Sequence, residues 1–308
     1  MPVAELRSKI RRKVEDRLDR AAQVYLDDRA LARADFSAPA GEASLSSPDS
    51  VSWRIFKNPV TLFIGGVAAV ILELAEPRVR SGVWEHSNFR KDPVGRLKRT
   101  GLAAMITVYG ARSEAETMIA RINTVHDRIS GVTPSGAPYH ANDPELLTWV
   151  QATAAFGFLE AYSAYAFPLS DADRNRYYAE SVKAAALYGA SAAPRSLAGQ
   201  EALFDVMTSK LEASDIVFEF LTIMKKAEAF PQPAQIAQHS LVRAAVELVP
   251  GNIRSILGLD RRYGLRPFEG RVVKRMARRA DRLVLRSGPA ATASRRLGLP
   301  DDYLYRRP

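Results

Sequence analysis

Three helix starts punctuate the chain in the same way. At Asn58-Pro59, Asp92-Pro93 and Asp143-Pro144, a residue able to cap a helix stands directly before a proline. Proline is well tolerated at the first position of a helix because its missing N–H would have no partner there. No stretch of the chain alternates convincingly between apolar and polar residues as a β-strand does. The sequence therefore predicts an all-α protein, a single large helical bundle with globin-like, orthogonal packing.

Other local signals divide the chain into segments. Residues 3–29 have apolar positions at helical spacing and predict an amphipathic helix. Residues 34–50 are rich in Ser, Ala, Pro and Gly and predict a loop. The predicted organisation is an N-terminal helix and loop over 1–50, a helical core over 51–230, and a helical extension over 231–308 that packs on the core.

Caps and glycines mark further helix ends. Ser113–Glu116 has the pattern of a capping box, and Ser170 begins an acid-started helix that runs to Gly189. Gly110 and Gly131 stand where C-terminal caps belong.

The longest apolar run, Val60–Leu72, has 13 residues, whereas a membrane span needs ~20. It predicts a buried core helix. The charged N-terminus is not followed by an apolar segment of the kind found in secretory signals, so a cytoplasmic protein is predicted.

Cysteine is absent, which excludes disulfides, zinc–thiolate sites, iron–sulfur clusters and a thiolate-bound heme. Four histidines remain: His86, His126, His140 and His239. His140 follows a Gly/Pro/Ser loop and His239 stands among polar residues, so both are predicted at the surface. Metal chemistry in this chain must depend on one of the four histidines or on carboxylates.

His126 is the most informative of them. The apolar residues of its helix share one face and predict an inward-facing imidazole; they are Met118, Ile119, Ile122, Val125 and Ile129. One interpretation is a core histidine bonded to a neighbouring carbonyl. The other is a metal or heme ligand, because neutral imidazole is the usual proximal donor to heme iron.

Two polar groups precede it. Arg96, Arg99 and Thr100 lie on one face of the helix that begins after Asp92-Pro93, where they either pair with an anion or form a solvated flank. Glu85 and His86 stand side by side, an acid able to act as a base and an imidazole able to bind a metal or a hydrogen-bond partner.

The order of these pieces resembles the oxygenase family that includes MpaB and the latex-clearing proteins. The likeness covers more than 100 residues, starting at Pro59; the matching segments are NPVTLFIGG, ILELAEPRVRSGVWEHSNFRKDPVGRLKRT, INTVHDRISG, YHANDPELLTWVQATAAFGFLEAY and PLSDADRNRYYAES.

This resemblance implies an all-helical fold enclosing a pocket for non-covalent heme b, and cleavage of carbon–carbon double bonds with dioxygen. It also implies a set of site residues: His126 as proximal iron ligand, Arg96, Arg99 and Thr100 on the distal side, Glu85 as candidate base, and Trp149 and Gln151 beside the cofactor.

Three positions depart from the family pattern. Many relatives have histidine where this chain has Glu76 and Gln151, and latex-clearing proteins have lysine in place of Arg99. Because arginine stays charged, it cannot replace lysine as an iron ligand. Glu76 and Gln151 indicate an altered substrate or reaction, or a loss of activity.

The sequence thus predicts a heme b-dependent oxygenase that acts with dioxygen on a hydrophobic, unsaturated small molecule. The alternative is a non-catalytic helical protein that binds heme or an apolar ligand.

The C-terminal tail is basic. Fourteen Lys and Arg against four Asp and Glu from residue 261 onward give a net charge of +10, so the rest of the chain is neutral. Its amphipathic helix, centred on Val272–Val284, predicts either a terminal helix packed on the bundle or a weak contact with an anionic membrane surface. No specific nucleic-acid binding is predicted.

Overall fold

The computed structural model of the protein describes residues 34–230 and 234–306, so the predicted helix over 3–29 lies outside the described residues. The α-helices of this part, in chain order, are α1 (Val51–Phe56), α2 (Pro59–Ala75), α3 (Pro77–Glu85), α4 (Pro93–Tyr109), α5 (Arg112–His126), α6 (Pro144–Ala161), α7 (Asp171–Leu187), α8 (Leu197–Thr208), α9 (Asp215–Lys226), α10 (Gln238–Leu248), α11 (Gly251–Ile256), α12 (Glu269–Ala280) and α13 (Pro289–Arg296). A π-helical turn at Tyr162–Ala166 and 3-10 turns at Ala234–Ala237 and Tyr303–Tyr305 complete them.

One small hairpin interrupts the helices. Strand β1 (Ser130–Val132) pairs antiparallel with β2 (Pro138–His140), with Ser130 opposite His140. The all-α class is confirmed, whereas the expectation of no strand is wrong at this point. Strands of three residues around a Gly/Pro/Ser loop are too short to show alternation in a sequence.

The three proline-started helices are confirmed. The side chains of Asn58, Asp92 and Asp143 accept hydrogen bonds from backbone N–H groups two or three residues later. Ser170 caps α7 in the same way. These starts were predictable because each cap depends only on residues adjacent in sequence.

Three predictions around α5 are wrong. Ser113 does not cap the helix; its N–H and Oγ donate to the Glu42 carboxylate at 2.7 and 3.0 Å, and α5 begins one residue earlier. Gly131 lies in β1 rather than at a helix end. Val125 is 59% exposed, because only a narrow face of α5, containing Ala115 and Ile119, is buried.

The core is built around α2 and α6, which cross with their backbones in contact. A Cβ placed on Gly65 would lie 2.6 Å from the carbonyl oxygen of Gly157. Only residues without a side chain allow this approach. The buried core helix predicted for Val60–Leu72 is confirmed, and α10, α12 and the π-helical turn pack around it.

Buried charges attach the C-terminal segment to this core. Lys57 Nζ lies 3.2 Å from Asp281 Oδ2, and both side chains are almost inaccessible to solvent. Helix α12 turns Val273, Ala277 and Ala280 inward. This is the packed arrangement expected as one of two interpretations of the tail.

Arg296, at the end of α13, reaches back to the loop before α1. Its guanidinium donates to the carbonyl oxygens of Phe36, Glu42 and Tyr109 and to Ser44 Oγ at 2.6–3.0 Å. A buried guanidinium needs such partners to offset its desolvation.

No single helix of the described residues is long and apolar enough to cross a membrane. Taken together, α2 and α3 satisfy the length and composition test, but they are bent by 112° relative to each other.

Candidate functional site

His126 is the last residue of α5 and lies half-buried on one stripe of that helix with Met118 and Ile122. Its Nδ1 is buried and has no hydrogen-bond partner among the described residues, and the same holds for Oδ1 of nearby Asn142. Burial lowers the pKa of His126, and Asn142 opposes this shift only in part. The shift favours the neutral imidazole, the form that donates to a metal.

Asn142 also holds the chain around His126. Its Nδ2 donates to the carbonyl oxygen of Asn123 at 3.0 Å and to Asp127 Oδ1 at 2.6 Å. Asn123 in turn donates to the carbonyl oxygen of Leu187 on α7 at 2.9 Å. The last turn of α5 is thus anchored on both sides of the histidine.

Arg96 lies half-buried in the first turns of α4. Its charge contributes to the lowered pKa of His126, so the two side chains are electrostatic neighbours. The first three turns of α4 have no fully buried side chain, and burial begins only near Ile106 and Val108. The start of α4 is therefore only partly covered by the rest of the protein.

Glu73 was not predicted as a site residue. It ends the one partly exposed stripe of α2 after Pro59, which otherwise consists of Leu62, Gly66 and Val70. Burial raises the pKa of Glu73 to about 7, although the positive charge of Arg96 acts in the opposite direction. The spacing of this stripe is visible in the sequence, but nothing local indicates which face of α2 stays open.

Helix α6 adds a fourth partly exposed face, formed by Val150, Gln151 and Ala154. Gly66 of α2 lies beside Phe158 of α6, with 3.9 Å between a Cβ placed on the glycine and Phe158 Cε1. We call these partly exposed faces of α2, α4, α5 and α6, taken together, the central cleft. Most of their side chains are apolar, and their polar side chains are Glu73, Arg96, His126 and Gln151.

The other two residues of the predicted distal motif point elsewhere. Arg99 and Thr100 are exposed, and Arg99 Nη1 lies 3.3 Å from Oδ2 of Asp92, the cap of α4. Of the three, only Arg96 is half-buried beside His126.

Glu85 and His86 belong to a separate surface group. Tyr139 Oη donates to Glu85 Oε2 at 3.0 Å, and His86 Nε2 lies 3.0 Å from Tyr139 Oη. Since the hydroxyl has one proton to donate, His86 serves as the donor to it. Tyr139 is an unpredicted member of this group, and the structure does not bring the group into contact with His126 or Arg96.

Two further residues, Trp149 and Glu76, make contacts that stabilise the fold. Trp149 is fully buried, its indole N–H donates to the carbonyl oxygen of Leu72 at 3.2 Å, and its ring packs edge-on against Phe204. Glu76 is buried, caps α3 through Val79 N–H at 2.7 Å, and pairs with Arg78. Trp149 lies in the core, and Glu76 is explained by its cap and ion pair.

A surface cleft of about 470 Å³ lies on the opposite face of α6, lined by Phe156, Glu160, Gln200 and Phe204 among others. It contains none of the predicted site residues. Its lining offers no imidazole, so the central cleft is the better candidate.

The sequence from residue 53 to residue 282 matches the family described as ER-bound oxygenase mpaB/B'/Rubber oxygenase, catalytic domain. The chain belongs to the MpaB and rubber oxygenase family. This match covers more than half of the chain and includes every helix that borders the central cleft. No curated protein and no solved structure matches the chain.

Membership of the MpaB and rubber oxygenase family directs attention to heme, and the donor set at His126 can be compared with what heme requires. No group of three or more His, Asp or Glu side chains that could hold a metal ion exists within residues 34–230 and 234–306. Heme brings four nitrogen ligands of its own and needs only one axial donor from the protein. A neutral imidazole, its orphaned Nδ1 and the apolar walls around it fit this requirement.

Proposed function

We propose that this member of the family is a heme b-dependent oxygenase acting with dioxygen on a hydrophobic, unsaturated small molecule. Family membership supports the oxygenase activity. The observation that carries the cofactor assignment is the half-buried imidazole of His126, whose buried Nδ1 has no hydrogen-bond partner among the described residues. Bound heme would supply the iron at which dioxygen is activated.

The residues of the chain have distinct tasks in this proposal. His126 would hold the iron, and Asn142 would orient the imidazole by accepting a hydrogen bond from Nδ1–H. Arg96 would donate hydrogen bonds to negatively charged atoms in the cleft. Thr100 and Arg99 would act closer to the cleft entrance, since both are exposed.

The apolar walls determine the substrate class. Leu62, Val70, Met118, Ile122 and Val150 present hydrocarbon surface that favours an apolar molecule. Gln151 is the neutral polar side chain on the same walls and would contact the cofactor or orient a polar end of the substrate.

The visible spectrum of protein produced with ample heme tests the proposal. We expect a Soret band that is lost in His126→Ala and retained in His140→Ala, because His140 is exposed and its ring nitrogens bond to the carbonyl oxygen of Asp127 and the N–H of Asn142. A protein without a Soret band, or a band that survives His126→Ala unchanged, would refute the cofactor assignment.

The non-catalytic alternative predicts heme binding without turnover. Oxygen consumption with candidate alkenes, compared between the wild type and an Arg96→Ala, Thr100→Ala variant, distinguishes the two. Equal traces in protein that binds heme normally would favour ligand binding alone.

We further propose a weak contact between the C-terminal segment and an anionic membrane surface. Phe268 is 73% exposed and Val272, one turn later, is 50% exposed. The exposed side of α12 beside them is basic, formed by Arg271, Lys274, Arg275, Arg278 and Arg279. Exposed apolar residues next to a row of cations are typical of helices that lie on anionic lipid.

Co-sedimentation with vesicles of anionic or neutral lipid tests this contact. We expect pelleting with anionic vesicles at low salt, weakened at physiological salt and by Phe268→Ser with Val272→Ser. Val206→Ser is the control, since Val206 is 63% exposed on α8, outside the basic segment. Failure to pellet at low salt would refute the contact.

A further inference from the structure

We propose that the surface cleft of about 470 Å³ bordered by α6, α7, α8 and α11 is a second binding site, which takes a small organic cation with an apolar body and a protonated amine. None of its lining residues belongs to the central cleft. We call it the acidic cleft. Its volume lies within the range of sites that hold small molecules.

The charge of the lining favours a cation. It includes one arginine, Arg174, and four carboxylates: Glu160, Asp171, Glu201 and Asp205. Arg174 is already engaged, since it pairs with Glu160 and its Nη2 donates to Ser163 Oγ at 2.9 Å. The other three carboxylates are exposed and, within the described part of the chain, form no ion pair and no side-chain hydrogen bond. In a chain with a net charge of +10, this cleft is therefore a local region of negative charge that attracts cations.

Gln200 supplies a hydrogen-bond acceptor on the wall of the acidic cleft. Its side chain is only 1% exposed, and its Nε2 donates to the carbonyl oxygen of Ala152 at 3.1 Å. Because a carbonyl oxygen only accepts, this bond fixes the orientation of the amide and leaves Oε1 as the free acceptor. Oε1 has no hydrogen-bond partner among the described residues. An N–H group that reached it from the cleft would satisfy a buried acceptor that is otherwise unfavourable.

Aromatic side chains provide surface for the body of the ligand. Phe156 and Phe204 both line the cleft and pack edge to face, with 5.0 Å between their ring centroids. Phe204 is held from behind by Trp149, at 5.1 Å between centroids. Such rings bury an apolar group and also attract a cation to their faces.

An organic cation fits this lining better than a metal ion does. No group of three or more His, Asp or Glu side chains within residues 34–230 and 234–306 is placed to hold a metal. The carboxylates therefore do not converge on one point, whereas an amine needs only one acceptor and a negative surrounding. The amine would donate to Gln200 Oε1, and the apolar body would lie against Phe156 and Phe204.

Calorimetric titration of the full-length protein with three matched indoles tests the proposal. Protonated tryptamine, tryptophol and indole-3-propionate share one ring and end in an ammonium, a hydroxyl and a carboxylate. We expect saturable binding of tryptamine, binding of tryptophol that is weaker by about tenfold or more, and no binding of the anion. Tryptamine should also bind less tightly as salt is raised, because its attraction to exposed carboxylates is screened. Absence of tryptamine binding at millimolar concentration, or equal affinity for tryptophol, would overturn the proposal.

Two pairs of substitutions separate the local charge from the charge of the whole protein. Glu201→Gln with Asp205→Asn should weaken tryptamine binding by about tenfold, and both positions are exposed, so the fold should be retained. Glu116→Gln with Asp215→Asn removes two exposed carboxylates on α5 and α9 and should leave the affinity unchanged. Equal affinities in the two variants would overturn the assignment to this cleft.

Gln200→Leu tests the acceptor and should also weaken tryptamine binding. Circular dichroism checks that this variant folds; if it does not, the pair Glu201→Gln, Asp205→Asn still decides the result.

A last variant distinguishes this site from the proposed heme site, because an amine is also able to bind iron. His126→Ala should keep the tryptamine affinity of the wild type, since His126 is not part of the acidic cleft. Loss of binding in His126→Ala would place the amine in the central cleft and overturn the proposal. An absent Soret band would refute the proposed function and would leave the acidic cleft to be decided by these titrations.

Discussion

The crossing of α2 and α6 gives neighbouring glycines opposite responses to the same substitution. Ordinary van der Waals contact begins at 3.4 Å, whereas the Cβ of Gly65→Ala would lie 2.6 Å from the Gly157 carbonyl oxygen, so the helices must separate by about 0.8 Å. Because the obstacle is backbone, no side-chain rotation relieves it. Overpacking of this kind costs about 3 kcal/mol, and the better helix propensity of alanine returns about 1 kcal/mol. We expect a net loss of about 2 kcal/mol.

Gly66→Ala is the matched control one residue later. Its Cβ meets only Phe158 Cε1 at 3.9 Å, an ordinary contact, so the propensity gain of about 1 kcal/mol should remain. Urea unfolding followed by helical circular dichroism should therefore separate the two variants by about 3 kcal/mol. Equal stabilities would refute the backbone contact, and destabilisation by Gly66→Ala would refute an open stripe on α2.

Three further substitutions have defined outcomes. The pKa of Glu73 is raised from 4.5 to about 7, so the carboxyl loses its proton more readily in the unfolded chain than in the folded protein. The free energy of unfolding therefore falls as the pH rises between those values. In urea unfolding, Glu73→Gln should match the stability of the wild type near pH 4 and exceed it by up to about 3 kcal/mol at pH 8. Trp149→Phe removes a buried hydrogen bond and part of a core ring, and should lower stability by about 2 kcal/mol without moving the Soret band of heme-loaded protein; a shifted band would return Trp149 to the cofactor site. Asp281→Ala leaves the buried Lys57 ammonium without its carboxylate and should cost about 3–5 kcal/mol in thermal or urea unfolding, with an unchanged stability refuting the buried ion pair.

Features that depend on a few adjacent residues were predictable from the sequence. The caps at Asn58, Asp92 and Asp143 involve only the next turn of chain, and each gave the correct helix start. The capping box at Ser113 failed because a tertiary partner, Glu42, binds the same N–H and hydroxyl.

The site was only partly predictable for the same reason. Helical spacing predicted an inward-facing His126, which is half-buried. The same spacing placed Val125 on the core face, although Val125 is exposed. Glu73 and Arg96 both belong to the central cleft because of how α2 and α4 are placed. No local sequence pattern predicts that placement. The hydrogen bond from Tyr139 to Glu85 was equally unpredictable, because it joins the hairpin to α3 across 54 residues.

Helix α4 is well buried only near its C-terminal end, which bears on how a heme-sized molecule would enter the protein. Its early turns bury no side chain fully, while α2 and α6 are in backbone contact at Gly65 and Gly157. Segments with little buried apolar surface open at a lower free energy than the core. If the central cleft holds a guest as proposed, we expect loading to proceed by opening of the start of α4, while the α2–α6 pair stays in place.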